Sequence, residues 1–183
     1  MSAIEALART VRLGWRLEQG VGQALAALGA GLAGALSPPE QQALTLALYA
    51  AAGAELRPLF SWEIAWFAAH LPPAPARLLV AGAGAGAEVV ALRAQGYTVA
   101  ATEPVARLAT QCARVGAAPI WPVDHESLGT LAGQRFDAVI LGWGSLTHVL
   151  TPSGRQRTLE AAATLTAGPI LASFWTAASV GAP

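Results

Sequence analysis

Charged residues are scarce in this sequence: they make up 12% of its 183 residues, with 11 basic side chains balanced by 11 acidic ones. No basic stripe runs along the chain, which argues against a nucleic-acid surface, because phosphate binding needs clustered positive charge. The chain has a single cysteine, Cys112, so an intrachain disulfide and a multi-cysteine zinc site are both excluded. This composition is compatible with a reducing cytoplasm, where we expect the protein to be located.

Long, strongly apolar runs are also missing. Residues 1–18 mix arginine with glutamate and contain no apolar core before a cleavage site, so they do not form a signal peptide. Residues 21–36 are uncharged, but they are rich in Ala and Gly, contain Gln23, and fall short of the roughly 20 strongly apolar residues of a membrane span. We therefore expect a helix that is buried or covered by a partner rather than a membrane helix.

Apolar residues are abundant at 54%, which is enough for a sizeable core. Up to residue 74 the patterns are helical, with an amphipathic stretch over Ile4–Glu18, a helix start at Ser37–Glu40, and a helix near Ser61–His70. The aromatic residues at 62, 66 and 67 fall at helical spacing and are predicted to lie in the core, although a lid over a cofactor is an alternative. We expect residues 1–74 to form a helical cover and residues 75–183 a second domain.

From residue 75 the pattern alternates between short apolar strands and helices. Strands are predicted at Leu78–Ala81, Thr98–Thr102, Pro119–Pro122, Phe136–Leu141 and Ile170–Trp175. Helices are predicted at Ala87–Gln95, Pro104–Val115, Glu126–Leu131 and Pro152–Leu165. This alternation indicates an α/β fold with a Rossmann-like, mostly parallel sheet of about five strands and helices on both faces.

The stretch with the clearest chemical meaning is LLVAGAGAGAEVVAL, residues 78–92. It reads as a strand, a turn containing glycines 82, 84 and 86, and a helix, which together form a cradle for a nucleotide-type cofactor. Glu103 follows the second strand, 21 residues after Gly82, where a carboxylate can accept hydrogen bonds from ribose hydroxyls. The alternative is a first-turn carboxylate before Pro104, stabilised by the helix dipole.

Three segments between Arg77 and Trp175 resemble class I S-adenosylmethionine-dependent methyltransferases: RLLVAGAGAGAEVVALRAQGYTVAATEP, FDAVILGWGSLTHVL and GPILASFW. The resemblance implies S-adenosyl-L-methionine as cofactor and a small molecule as methyl acceptor. It also implies that the glycine turn faces the methionine part, that Glu103 holds the ribose, and that Asp124 contacts the adenine. The implied cofactor-binding residues are Gly82, Ala83, Gly84, Gly86, Glu103, Pro104, Asp124, His125, Gly142 and Trp143.

Several of these residues also have a simpler structural explanation. Asp124 can cap the short helix after the third strand, and we expect the side chain of His125 to face solvent. His148 is the candidate catalytic base because an imidazole suits proton transfer near neutral pH, but it can equally be a loop histidine bonded to a backbone carbonyl. Trp143 can form a wall of the methyl-transfer site or pack against the sheet. The three histidines are too scattered in the sequence to indicate a metal site.

The sequence departs from the family pattern at two places. Val80 stands where the family often has an acidic residue, and the chain ends at TAASVGAP, where the fold usually continues with another helix and two strands. The second departure predicts a shortened member, or a fifth strand whose open edge is covered by the amino-terminal helices, by a second copy or by a partner subunit.

Two alternatives to methyl transfer remain at this point. Gly82-x-Gly84-x-x-Ala87 satisfies a loose dinucleotide fingerprint, so an oxidoreductase that uses NAD(P) or a flavin is possible. The missing carboxyl-terminal elements favour a non-catalytic cofactor-binding or scaffold subunit, because a shared fold does not establish activity.

Overall fold

Short strands alternate with helices through most of the computed structural model, which describes residue 32 and the ranges 34–51 and 56–175. The elements in chain order are α1 (Pro38–Ala51), α2 (Ser61–His70), β1 (Arg77–Ala81), α3 (Ala87–Ala94), β2 (Thr98–Thr102), α4 (Ala106–Arg114), β3 (Ile120–Trp121), a first 3₁₀ helix (His125–Leu131), β4 (Ala138–Leu141), a second 3₁₀ helix (Ser145–His148), α5 (Pro152–Leu165) and β5 (Ile170–Ala172).

The five strands form one parallel sheet in the order β3-β2-β1-β4-β5. Leu79 in β1 pairs with Ala100 in β2 on one side and with Val139 in β4 on the other. The order of the strands therefore reverses between β1 and β4, and the carboxyl ends of these two strands border the crevice where α/β sheets bind ligands. The predicted α/β class and the parallel sheet are confirmed.

Two apolar cores cover the two faces of the sheet, because successive side chains of a strand point to opposite sides. Leu78 and Val80 belong to the first core, and Leu79 and Ala81 belong to the second. The first core also contains Phe67, Val89, Leu92, Val99, Cys112 and Ile140. The second also contains Leu128, Leu131, Phe136, Val139, Ala162 and Leu165. Burial on both faces explains why the strands read as continuous apolar runs.

Several predicted strands are shorter in the structure. Phe136 contributes only an isolated bridge to Thr166, so β4 begins at Ala138. The chain leaves the sheet after Ala172, and the backbone N–H of Trp175 instead donates to Oγ1 of Thr147 at 2.8 Å. The predicted helix over Glu126–Leu131 is a 3₁₀ helix that begins at His125.

The amino-terminal region is described only in part. The predicted helix Ile4–Glu18 and most of segment 21–36 lie outside the described residues. The chain divides into two compact units, with the division between Ala43 and Leu44. The boundary expected after residue 74 stays a prediction, as does the cover over the edge of β5. Within the described ranges, no helix is long and apolar enough to cross a bilayer.

Helices α1 and α2 lie where the sequence places them. The carboxylate of Glu40 accepts a hydrogen bond from the backbone N–H of Ser37 at 2.8 Å, a contact typical of the helix start predicted at Ser37–Glu40. Of the three aromatic residues in α2, Phe67 is 1% exposed and Trp66 is partly buried against the first core. The prediction that Trp62 lies in the core is wrong, since that side chain is 48% exposed.

Candidate functional site

The turn after β1 is built by three glycines in the left-handed region, with φ values of 68° at Gly82, 56° at Gly84 and 99° at Gly86. Thr102, the last residue of β2, holds this turn in place. Its Oγ1 accepts a hydrogen bond from the N–H of Gly82 at 3.1 Å, and its carbonyl accepts one from the N–H of Ala83 at 2.9 Å. Thr102 was not among the predicted site residues, although its position directly before Glu103 was the available signal.

The three glycines differ in what surrounds them. A methyl group added at Gly82 would lie 2.5 Å from Cε1 of His125, and one at Gly86 would lie 2.6 Å from Cγ2 of Val115. A methyl group at Gly84 would meet no atom within 4 Å. Packing against the rest of the chain therefore explains Gly82 and Gly86, whereas the backbone of Gly84 borders open space that an external group can enter.

Glu103 joins the turn to the following helix. Its side chain is 5% exposed; Oε2 accepts from the N–H of Gly84 at 2.8 Å, and Oε1 accepts from the N–H of Val105 at 2.8 Å. Burial raises the pKa of this carboxyl group, while the two N–H groups act in the opposite direction. The bond to Val105, directly before α4, is the contact expected of a carboxylate that only stabilises the start of this helix. The ribose role of Glu103 stays a prediction.

Asp124 and His125 follow β3. Oδ1 of Asp124 accepts a hydrogen bond from the N–H of Ser127 at 2.9 Å, so Asp124 caps the short helix that follows β3. Its contact with adenine stays a prediction. The expectation that His125 faces solvent is wrong, because the residue is only 9% exposed. The imidazole lies over Gly82, where the absence of a side chain leaves room for it.

Burial lowers the pKa of His125 to about 4, and nearby His148 contributes in the same direction. Asp124 and the backbone of Ala81 act in the opposite direction. The Nε2 atom of His125 is buried and has no hydrogen-bond partner among the described residues. A neutral imidazole with an unpaired nitrogen therefore lies beside the glycine turn.

His148 ends the second 3₁₀ helix and lies against Tyr49 of α1. The Tyr49 hydroxyl is 3.2 Å from Nε2 of His148, and the two rings meet edge to face with centroids 5.4 Å apart. Burial lowers the pKa of His148. Burial, together with the nearby charge of Glu103, raises the pKa of Tyr49. Tyr49 therefore lies between two of the predicted site residues, a placement that no motif in α1 signalled.

The loop after β4 contains Gly142, Trp143 and Gly144. Trp143 has a φ of 46°, which is rare for a residue with a side chain, and the N–H of Gly144 donates to Oγ of Ser173 at 2.7 Å. A methyl group at Gly142 would lie 2.9 Å from Oε1 of Glu88, whose pKa is raised by burial in the first turn of α3. Glu88 was not among the predicted site residues either.

Aromatic rings and one cation surround Trp143. Its ring stacks on Phe60, with centroids 4.9 Å apart and planes at 18°, and meets Trp175 nearly perpendicularly at 5.2 Å. The guanidinium of Arg57 lies 3.8 Å from the centre of the Trp143 ring and makes a bidentate ion pair with Glu63, at 2.7 and 2.8 Å. Trp143 thus lines a cleft at the edge of the sheet.

The structure brings some of the predicted residues together and separates others. Glu103 bonds directly to Gly84, and His125 lies over Gly82. His148 is close enough to His125 for its charge to lower the pKa of His125. The side chain of Ala83 belongs to the first core, so only its backbone can face a ligand. Pro104 is partly buried before α4. The described ranges contain no group of three or more side chains suited to hold a metal ion.

No protein-family model and no curated protein sequence matches this chain. Solved structures do share its fold. CalS10 with bound S-adenosylmethionine, an amino pentose methyltransferase from Micromonospora echinaspora, is 18% identical over 82% of this chain and 56% of its own, with a TM-score of 0.52. The sugar N-methyltransferase KedS8 from Streptoalloteichus sp. is 24% identical over 56% of this chain and 42% of its own, with a TM-score of 0.50.

DesVI from Streptomyces venezuelae is 20% identical over 69% of this chain and 51% of its own, with a TM-score of 0.54. The chain therefore spans about half the length of these three solved structures. It has the Rossmann-like fold of S-adenosylmethionine-dependent methyltransferases, as the sequence resemblance predicted.

Proposed function

We propose that this protein is an S-adenosylmethionine-dependent methyltransferase that acts on a small molecule. The observation that carries the proposal is the backbone of Gly84, which borders open space and donates its N–H to the buried carboxylate of Glu103. Both residues lie beyond the carboxyl ends of neighbouring strands, beside the point where the strand order reverses. The fold shared with methyltransferases of known structure supports the same function.

The described residues also fit an adenosyl cofactor in a second respect. Buried polar atoms are nearly always hydrogen-bonded, yet Nε2 of His125 has no partner among the described residues. A polar group of a bound ligand would supply one. In this proposal the backbone of Gly82–Gly86 holds the methionine part, Glu103 holds the ribose, and Asp124 and His125 border the adenine.

When bound, the cofactor supplies a methyl group to a lone pair of the acceptor, and the electrons of the broken carbon–sulfur bond stay on sulfur. A hydroxyl or amine acceptor releases one proton in the reaction. The contribution of the protein is alignment of the reacting atoms. His148 is the candidate to accept the proton, since burial keeps its pKa low and its ring neutral. The hydroxyl of Tyr49 lies at Nε2 of His148 and orients the ring.

Calorimetric titration with S-adenosylhomocysteine and, separately, with NADH tests the proposal against the oxidoreductase alternative. We expect S-adenosylhomocysteine to bind at one site per chain and NADH not to bind. Tighter binding of NADH, or binding of neither compound, contradicts the proposal.

The same preparation distinguishes an enzyme from a non-catalytic subunit. Release of S-adenosylhomocysteine from S-adenosylmethionine, measured by mass spectrometry with and without candidate acceptors, is the expected result for an enzyme. Binding without release for every acceptor tried favours the non-catalytic alternative. The cytoplasmic location and an assembly with a second copy or a partner stay predictions.

A further inference from the structure

A cleft of about 300 Å³ opens beside the loop that follows β4. Seven residues line it: Phe60, Trp62, Trp143, Gly144, Ser173, Phe174 and Trp175. Its size is at the lower end of the roughly 300–1,000 Å³ of small-molecule sites. Such a cleft is large enough for a small ligand and too small for a folded partner.

Five of these seven residues are aromatic, and contacts within the chain hold several of the rings in place. Trp143 lies flat against Phe60 and edge-on to Trp175. The backbone of Trp175 is tied to Thr147 by the hydrogen bond from its N–H to Oγ1, at 2.8 Å. Faces and edges of fixed aromatic rings attract another flat ring placed between them.

These rings are also accessible. Trp62 is 48% exposed, Trp175 is 46% exposed and Phe174 is 64% exposed. Aromatic side chains that group together and stay this exposed are typical of an interaction site.

Among the residues that the structure describes, the lining of the cleft carries no charge, because all seven are uncharged. The cation that touches it, Arg57 against Trp143, is already neutralised by its bidentate pair with Glu63. An ionised ligand would lose hydration here without gaining a counterion. The lining therefore favours a neutral molecule.

Side-chain hydrogen-bond acceptors are also few in the described lining, because the indole N–H groups of its three tryptophans can only donate. The hydroxyl of Ser173 already accepts a hydrogen bond from the N–H of Gly144. A sugar carries several hydroxyl groups that each need a partner when they leave water. The lining thus suits a flat aromatic ring better than the sugar acceptors named for CalS10 and KedS8.

We infer that this cleft holds the methyl acceptor, and that the acceptor is an uncharged planar aromatic or heteroaromatic compound that bears a hydroxyl or amine. The inference rests on the proposed function. Trp143 and Gly144 belong both to the cleft and to the loop at the carboxyl end of β4, beside the crevice at β1 where we place the cofactor.

Calorimetry with 1-naphthol as probe tests the inference, with saturating S-adenosylhomocysteine present. Matched titrations use 1-naphthoate, which adds a charge, and methyl glucoside, which replaces the ring by a sugar. We expect 1-naphthol to bind and the other two compounds to bind at least about tenfold more weakly. Equal or tighter binding of the sugar or of the anion overturns the inference.

Variants locate the binding site. We expect Trp62→Ala and Trp175→Ala each to weaken 1-naphthol binding about tenfold while leaving the affinity for S-adenosylhomocysteine unchanged. Ile64→Ala is the control on the same helix, because Ile64 is 51% exposed on α2 and does not line the cleft. Thermal unfolding verifies that each variant is folded. Because Trp62 and Trp175 lie on different elements, one variant still tests the inference if the other does not fold.

The outcomes separate the two proposals. Binding of S-adenosylhomocysteine without binding of 1-naphthol overturns the acceptor inference and leaves the proposed function standing. If 1-naphthol binds but S-adenosylhomocysteine does not, the result contradicts the proposed function and, with it, the acceptor role of the cleft. An equal loss of 1-naphthol affinity in Ile64→Ala also overturns the inference, because the probe would then bind elsewhere.

Discussion

Oε2 of Glu103 accepts a hydrogen bond from the backbone N–H of Gly84 at 2.8 Å, so the carboxylate after β2 and the turn after β1 form one unit. The second oxygen accepts from Val105 at the start of α4. Because the carboxylate bonds to the only glycine of the turn whose Cβ position is free of neighbours, changes at either residue affect the same proposed ribose site.

Glu103→Gln keeps the shape of the side chain and removes its charge. We expect the variant to bind S-adenosylhomocysteine at least about tenfold more weakly, which is about 1.4 kcal/mol, because hydrogen bonds to charged acceptors are the stronger ones. The measurement is calorimetric titration of both proteins with S-adenosylhomocysteine and with its 2′-deoxy analogue.

The comparison of the two ligands tests whether Glu103 binds the ribose hydroxyls. The wild type should prefer the natural ligand over the 2′-deoxy analogue, and the variant should have lost most of that preference. An equal preference in both proteins would mean that Glu103 serves only the backbone of the turn.

Gly84→Ala adds a single methyl group where the structure has space but the backbone has a φ of 56°. We expect a loss of about 1–2 kcal/mol in the free energy of unfolding from the left-handed conformation. We also expect at least a tenfold loss of cofactor affinity, because the methyl group would occupy the space beside the turn.

Gly133→Ala is the matched control for this change. Gly133 also has a positive φ, 94°, and a methyl group there would also meet no atom within 4 Å, but it lies in the turn before β4. Urea unfolding should show destabilisation of both variants, and calorimetry should show reduced affinity only for Gly84→Ala. Full affinity in Gly84→Ala would exclude the open face of this turn as the ligand contact.

His125 should make the protein less stable in mild acid. Burial holds its native pKa at about 4, whereas the unfolded chain takes up the proton near pH 6.5. The unfolded state therefore binds more protons between these values, and the free energy of unfolding falls as the pH is lowered. The contribution is absent well above pH 6.5 and reaches a slope of about 1.4 kcal/mol per pH unit within the window.

Urea unfolding between pH 7.5 and pH 4.5 measures this slope. We expect the slope of His125→Gln to be less steep than that of the wild type, because the variant lacks the buried imidazole. Identical slopes for the wild type and His125→Gln would show that residue 125 is hydrated in solution.

Tyr49 and His148 should titrate as neighbours. Burial lowers the pKa of His148, and the ring of Tyr49 is one of the groups that cover it. We expect Tyr49→Ala to raise the pKa of His148 toward 6.5, and Tyr49→Phe, which keeps the covering ring, to leave it well below that value. NMR titration of the His148 imidazole proton resonances measures the difference, and no change in Tyr49→Ala would place the tyrosine ring away from the histidine.

The ion pair between Arg57 and Glu63 should stabilise the fold more than an exposed pair does. Glu63 is 1% exposed, so Arg57→Met leaves a buried carboxylate without its cation and should lower the free energy of unfolding by on the order of 3 kcal/mol. Arg157→Met breaks a pair with Glu126 whose members are 59% and 32% exposed, and should lower it by less than about 1 kcal/mol.

Urea denaturation of the two variants compares the pairs directly, and the double change Arg57→Met with Glu63→Gln should recover most of the first loss. Equal losses for the two arginine variants would show that the first pair is hydrated, contrary to the burial of Glu63.

Local patterns were enough to predict the framework of the site. Apolar runs and the glycine turn placed β1, β2 and α3 within a residue or two, and the strand at Thr98–Thr102 has the predicted bounds. Neighbouring residues determine these features through backbone conformation and side-chain periodicity, so the sequence carries them in short windows. The position of Glu103 beside the turn followed from the parallel pairing of β1 with β2.

The same patterns could not determine which side chains close over that framework. The burial of His125 depends on the missing side chain of Gly82. The ring that covers His148 is that of Tyr49, which lies 99 residues away in the sequence. The aromatic cleft combines residues from α2, from the loop after β4 and from the end of β5.

The sequence by itself therefore determined the strands, the helices and the open turn, because hydrogen bonding and apolar periodicity act between near neighbours. Only the tertiary structure decided the burial of His125, the pairing of Tyr49 with His148 and the walls of the cleft. These depend on the distances between distant segments, which packing alone sets.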